Sequence, residues 1–392
     1  MVNLTILAGG FSIPGFIATY NFTSDANTLT LVGQSPSGNS PSWIASHPND
    51  STIIYAVNEI SPVGNLQSFT VDSNGAVSLV DTVSTGGNGP TFTNMLSTGE
   101  VSAMNFGSPN CSFVPTLPND PTRFDKDSPS VLSFPVADGG LSNPHMSLEH
   151  NGEILVPDLG GDRIWRVVRD DAPGKFKVQG QINIDAGAGP RHIAIQDDVL
   201  LTLHEKTSTL TAQLIPPAPN GTTFPLIANV SIIPPNPLNG TKFAAAEILV
   251  SSASSKFPNP LIYVSNRNIG ETIDPEGDTI AIFEFNANAA RNSTATNLGR
   301  RIIKRSKWSR QEDESPSSSD GPLTLLAQVP TGLQQIRSMS LGKVENGGDE
   351  YIIAGANTEG GVAMFQRVDG GRNLTLVARN EDIANRTSFV FL

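Results

Sequence analysis

The chain has 392 residues and a formal charge of −12, from 25 Lys and Arg against 37 Asp and Glu. That acidity argues against a nucleic-acid partner, which needs clustered Lys and Arg, and no apolar run approaches the roughly 20 residues of a membrane span. The 36 Gly and 29 Pro are spread along the chain, which excludes a mostly helical protein and points to an all-β one.

Taken in order, a strand pair recurs over residues 41–59, 91–106, 143–158, 189–205, 244–267 and 336–357. A third, alternating strand follows at 64–71, 130–136, 162–168, 278–285 and 361–366, and a fourth reads clearly at 29–32 and 374–377. Four short strands repeating at roughly 50 residues predict a β-propeller. Six copies are internal, and residues 4–8 with 388–392 complete a seventh. Pairing the chain ends in one blade closes the ring and removes free sheet edges. The prediction is a single domain over 1–392, with irregular insertions at about 107–129, 213–243 and 287–321. The last carries a basic run from Arg300 to Arg310 and then an acidic, Ser-rich run, and reads as a solvated insertion.

Cys111 is the single cysteine, so no internal disulfide forms. Ten Asn-X-Ser/Thr acceptors begin at Asn3, Asn21, Asn49, Asn110, Asn220, Asn229, Asn239, Asn292, Asn373 and Asn385. They favour a secreted protein able to carry N-glycans, its signal absent from this chain. A cytoplasmic chain merely rich in Asn, Ser and Thr is the alternative. A monomer is expected.

In a propeller, turns from different blades converge on one mouth of the central channel. Polar residues at equivalent repeat positions are Glu59, His145, Asp158, Arg191, His192, Glu205, Asn266, Arg267 and Arg337. Any one alone reads as a cap or an inter-blade salt bridge. Several from successive copies read as a site, because buried charge without partners is costly. No Gly-X-Ser-X-Gly elbow, phosphate-binding loop or His-Glu-X-X-His is present. Asp158 and Asp162 beside His145 are expected to shape a turn and not to ligate a metal. Neither metal nor cofactor is expected.

The stretches Pro41-Ser-Trp-Ile-Ala, Asn143-Pro-His145, Gly187-Ala-Gly-Pro-Arg-His192 and Tyr263-Val-Ser-Asn-Arg267 are similar to the lactonase family of seven-bladed propellers. That family includes 6-phosphogluconolactonases and the fungal carboxy-muconate lactonising enzyme. The resemblance implies a channel-mouth site of His145, Glu205, Arg191 and Arg267. His145 and Glu205 would act as an acid/base pair. Arg191 and Arg267 would grip carboxylate or enolate-like oxygens, with Glu59, His192, Asn266 and Arg337 as further substrate contacts. The expected substrate is a small conjugated carboxylic acid or lactone. No dense basic cluster for a phosphosugar is evident, and the 107–129 segment, with Cys111, Phe113 and Phe124, is expected to fold over the mouth and make it apolar. Two alternatives stand beside this reading. One is a fungal secondary-metabolite cyclase that dehydrates its substrate to a quinone-methide-like enone for hetero-Diels–Alder-type cycloaddition. The other is a secreted binding glycoprotein without catalysis.

Overall fold

The computed structural model describes residues 1–128, 130–223, 225–287, 289 and 321–392. These form seven sheets, five of four strands and two of five. Two short 3₁₀ turns, Glu345–Glu350 and Asp369–Gly371, interrupt the strands. Among the described residues no helix is long and apolar enough to cross a membrane.

Blade 1 sets the pattern: Trp43–His47, Asp50–Asn58, Asn65–Val71 and Val77–Ser84 run in sequence from the channel outward. The innermost strands of blades 2 to 6 are Pro90–Phe92, Leu148–His150, Pro190–Gln196, Phe243–Val250 and Ile336–Leu341. Blade 7 joins the chain ends. Its inner strand, Arg386–Phe391, pairs antiparallel with Asn3–Gly10, matching Leu7 to Val390 and Ala8 to Phe389. The ring is therefore closed by hydrogen bonds between residues more than 370 apart, as the sequence predicts.

Each sheet is buried on both faces, which is why its second strand reads as a continuous apolar run. In Ile53-Ile-Tyr-Ala-Val57, Ile54 and Ala56 pack toward blade 7, whereas Ile53, Tyr55 and Val57 pack toward blade 2. Seven apolar clusters result among the described residues, one between each pair of neighbouring blades.

The predicted insertions need correction. Residues 107–129 are not a cover for the mouth, because Asn110–Leu117 and Asp120–Phe124 are the third and fourth strands of blade 2. Cys111, Phe113 and Phe124 are core residues there. The stretch read as that blade's third strand, 130–136, supplies only a short added strand, Val131–Ser133, paired to Asn110–Leu117. Proline content also misled the reading of 213–243, which holds the outer strand of blade 4, Leu226–Ser231. The insertion at 287–321 falls almost wholly outside the described residues.

Leu7 is fully buried between blades 7 and 1, beside Ile44 and Ile54. Leu7→Ala is expected to cost about 2–5 kcal/mol, the range for a buried leucine cavity. A urea titration checks it, and a change below ~1 kcal/mol would show that the closing blade contributes little to global stability.

Candidate active site

Strand direction decides which side chains meet. Inner strands of all blades start at the same end of the channel, and second strands finish there. Arg191 and Arg337 stand at the start of inner strands, His145 just before one, and Glu59, Glu205 and Arg267 where second strands end. All six belong to one mouth.

Buried or half-buried carboxylates hold the loops that carry them. Asp158 accepts the Asn143 backbone N–H at 2.6 Å, the Gly161 N–H at 2.9 Å and Trp165 Nε1–H at 2.8 Å. With the His145 N–H donating to the Pro157 carbonyl at 3.0 Å, this fixes the segment bearing His145. Asp162 accepts the Gly187 and Gly189 N–H groups, both at 2.8 Å, and so shapes the turn before Arg191. Both glycines have φ near +70 to +80°, a left-handed conformation that side chains disfavour. Asp278 accepts from the Asn268 and Gln335 backbones, at 2.9 and 2.5 Å, tying the end of Arg267's strand to the start of Arg337's. Burial pushes its carboxyl up to about 6, against the pull of those hydrogen bonds.

Glu205 lies between two guanidiniums: Arg191 pairs with its Oε2, and Arg267 reaches the same atom at 2.8 Å. Arg191 also donates from Nε to the Ala246 carbonyl at 3.1 Å, and Arg267 to the Ala245 carbonyl at 3.2 Å. Burial alone would raise the Glu205 carboxyl, but Arg191 and Arg267 overcome it and hold the group ionised, below its ordinary range. Burial, with Arg191 nearby, lowers Arg267 to about 9, so it stays charged at neutral pH. Arg337 is held at 3.3 Å by Glu59, from blade 1, and its guanidinium lies 5.1 Å from the Phe11 ring. Three guanidiniums against two carboxylates leave one positive charge in excess (3 − 2 = 1).

Beneath them lies a row of buried polar groups. His145 Nδ1 meets His192 Nε2 at 3.1 Å, His192 Nδ1 meets Glu247 Oε1 at 2.7 Å, and Ser338 donates to Glu247 Oε2 at 3.0 Å. These residues come from blades 3, 4, 5 and 6 in turn. Trp43 and Phe92 set their rings 5.3 and 5.9 Å from His192, edge-on, and Phe106 sits 5.6 Å from His145. Burial, then the Arg191, Arg337 and Arg267 charges, drives the His145 imidazolium well below its usual range, so His145 is neutral at pH 7.

A family model described as "Lactonase, 7-bladed beta-propeller" matches residues 5–301. The chain belongs to this lactonase family. A curated relative, the "Probable 6-phosphogluconolactonase" of Arthroderma benhamiae, is 25% identical over 266 residues, 64% of each chain. The alignment thus spans less than two thirds of that relative's length. A 6-phosphogluconolactonase of Serratia proteamaculans is 25% identical over 79% of this chain and 91% of its own. Among solved structures, a putative 6-phosphogluconolactonase of Bacteroides uniformis superposes with a TM-score of 0.73 at 18% identity, covering all of both chains. The periplasmic gluconolactonase of Pseudomonas aeruginosa does so at 0.74 and 14%, covering 100% of this chain and 99% of its own. At those identities the two structures show the fold.

Within this lactonase propeller, His145, Arg191, Glu205, Arg267, Arg337 and Glu59 meet as the sequence predicts. His192 and Asn266 lie in the core beside this group. His192 has no exposed surface and stands behind His145, and Asn266 is fully buried with its amide donating to the Ile232 carbonyl. Glu205 does not hydrogen-bond the histidines; the carboxylate that does is Glu247, which sequence reading missed. Its signal was present as the one charge in Phe243–Val250, at the level of His192 and Ser338 beside the β-bulges that interrupt all three inner strands.

Stability should carry the mark of the buried neutral histidines. Burial lowers His204, on the second strand of blade 4, to about 4, and lowers His145 as well. The unfolded chain takes up these protons near pH 6.5 while the folded chain does not. Stability present above pH 6.5 is therefore lost as pH falls toward 4. His204→Gln is expected to flatten the decline in urea midpoint between pH 7 and 5; an unchanged slope would mean that His204 already titrates normally in the folded protein.

Proposed function

We propose that this propeller opens or closes the lactone ring of a small, singly charged, oxygen-rich acid at the mouth built around Glu205. The observation that carries the reading is the Arg191–Glu205–Arg267 group with Arg337 beside a buried, neutral His145. The excess of one positive charge suits a carboxylate or a developing oxyanion better than a phosphate dianion. The relatives named as 6-phosphogluconolactonases support lactone chemistry, while the charge count favours a substrate without phosphate.

In the hydrolytic direction, His145 takes a proton from water as its oxygen attacks the lactone carbonyl carbon. Arg191 and Arg267 stabilise the oxyanion. The ring C–O bond then breaks, and the proton passes from His145 to the leaving alkoxide, giving a hydroxyl and a carboxylic acid whose remaining proton is lost to solvent to leave the carboxylate. Lactonisation is the reverse. In a cycloisomerisation, a carboxylate oxygen instead adds to a conjugated double bond and a protonated acid delivers hydrogen to carbon. Glu205, held ionised, serves better as the anchor that orients both arginines than as that acid.

A second reading rests on Phe11, whose ring lies beside Arg337, and Phe106, whose ring lies beside His145. They favour a flat, apolar conjugated substrate, as in a cyclase that dehydrates its substrate to a quinone-methide-like enone and cyclises it.

Thermal-shift and turnover measurements against lactones and muconate-like diacids, and separately against tropolone or quinone-methide precursors with polyenes, separate these. Turnover of the first panel, reduced about 10²–10³-fold in kcat/KM by Arg191→Ala, is expected. A response confined to the second panel favours the cyclase, and silence in both overturns catalysis in favour of a binding glycoprotein.

The acceptor asparagines support passage through a secretory pathway. Asn3, Asn21, Asn49, Asn220, Asn229, Asn239 and Asn373 are exposed. Asn110 is half-buried and hydrogen-bonded to Asn105 at 2.7 Å, and Thr387 of the Asn385 acceptor is fully buried. Asn292 lies outside the described residues. Glycopeptide mass spectrometry of protein secreted from a eukaryotic host is expected to find glycans among the exposed seven and none at Asn110 or Asn385. Bare asparagines throughout would favour the cytoplasmic alternative.

A further inference from the structure

We propose that Glu247, acting through His192, is a positioning residue that fixes the tautomer of His145, leaving His145 Nε2 unprotonated and free to accept a proton. The role assigned to His145 rests on the function proposed above, but the tautomer itself does not.

The argument follows the donors. Glu247 Oε1 already accepts the Ile248 backbone N–H at 3.1 Å, and Oε2 takes the Ser338 hydroxyl at 3.0 Å. A carboxylate in that setting offers only lone pairs, so the proton between it and His192 sits on His192 Nδ1, 2.7 Å away. His192 is taken as a neutral imidazole, with one ring proton; an imidazolium there would donate from Nε2 as well and put the His145 proton on its Nε2. His192 Nε2 is therefore an acceptor, and the 3.1 Å contact to His145 requires His145 Nδ1 to donate. The remaining nitrogen, His145 Nε2, is bare and has no hydrogen bond among the described residues. One carboxylate two side chains away thus decides which end of His145 is basic.

The surroundings favour that arrangement. His145, His192 and Glu247 are all buried, so water does not scramble the protons. Trp43 and Phe92 pack edge-on against His192, and Phe106 against His145, holding both rings in place. The charged groups facing His145 are Arg191, Arg267 and Arg337, with Glu205 and Glu59 paired to them, and they oppose a second proton on the ring. Ser338 completes the row from blade 6. Its hydroxyl can donate to Glu247 or turn to accept.

That last property provides the control. In Glu247→Gln the amide oxygen can still accept from His192 and Ile248 while its NH₂ donates to a turned Ser338, so the row survives without the charge. In Glu247→Leu the acceptor is gone and His192 is free to adopt either tautomer. Nitrogen-15 NMR of histidine-labelled full-length protein reads the tautomers directly. The chain has five histidines, and His145→Gln and His192→Gln spectra assign the two in question.

The expected result is a protonated Nδ1 and bare Nε2 at His145 in the wild type and in Glu247→Gln, with a mixture of tautomers in Glu247→Leu. A wild-type His145 protonated at Nε2 would overturn the proposal without any variant, which covers the case where Glu247→Leu fails to fold. An unchanged His145 tautomer in folded Glu247→Leu would overturn it too. With a turned-over lactone in hand, Glu247→Leu should lower kcat with little change in KM, and Glu247→Gln should restore much of it. The predicted tautomers without turnover of any lactone would refute the proposed function and leave the relay standing.

Discussion

Everything in this molecule depends on closing the ring. The pairing of Arg386–Phe391 with Asn3–Gly10 turns six consecutive blades into a circle by making a seventh from both chain ends. Without it, blades 6 and 1 would each expose a wide apolar face, and the seven inter-blade cores would lose two members. It also sets the mouth. Glu59 from blade 1 reaches Arg337 from blade 6 only because blade 7 stands between them at a fixed angle.

The closed ring permits an otherwise unfavourable concentration of charge. Three arginines and two glutamates sit partly out of water, where unpaired charge is costly and a paired charge roughly breaks even. Sharing one carboxylate between Arg191 and Arg267 pairs both cations, with Arg267 Nε still lacking a hydrogen-bond partner among the described residues, and leaves the group one positive charge in excess. That imbalance suits an incoming anion, whose oxygens would add the missing counter-charge. Burial, aided by the same field, keeps His145 neutral and therefore able to accept a proton.

Polar groups elsewhere in the core hold loops in place. Asp158 gathers backbone N–H groups from the loop that enters its own blade, and Asp162 and Asp278 gather them from the loops that enter the next. Precise placement of His145, Arg191 and Arg337 is thus assigned to carboxylates engaged with backbone N–H groups.

Much of this was readable from the residues. Continuous apolar runs such as Ile53–Val57 mark strands buried on both faces, and their spacing sets the number of blades. Charged residues at the ends of such runs mark the mouth, and so Arg191, Arg267 and Glu205 could be named. Segments 107–129 and 213–243 look irregular in the sequence because local proline and turn content hides strands whose partners lie in the neighbouring sequence of the same blade. Which carboxylate serves which partner was beyond the sequence. Glu205 and Glu247 both lie within reach of His192 along the chain, but only the twist of the ring brings Glu247, 55 residues on, to its Nδ1 and turns Glu205 toward the arginines. Residue type and strand rhythm are local properties and are written in the chain. Hydrogen-bond partnership across four blades is a property of the angle between sheets, and only the assembled ring sets it.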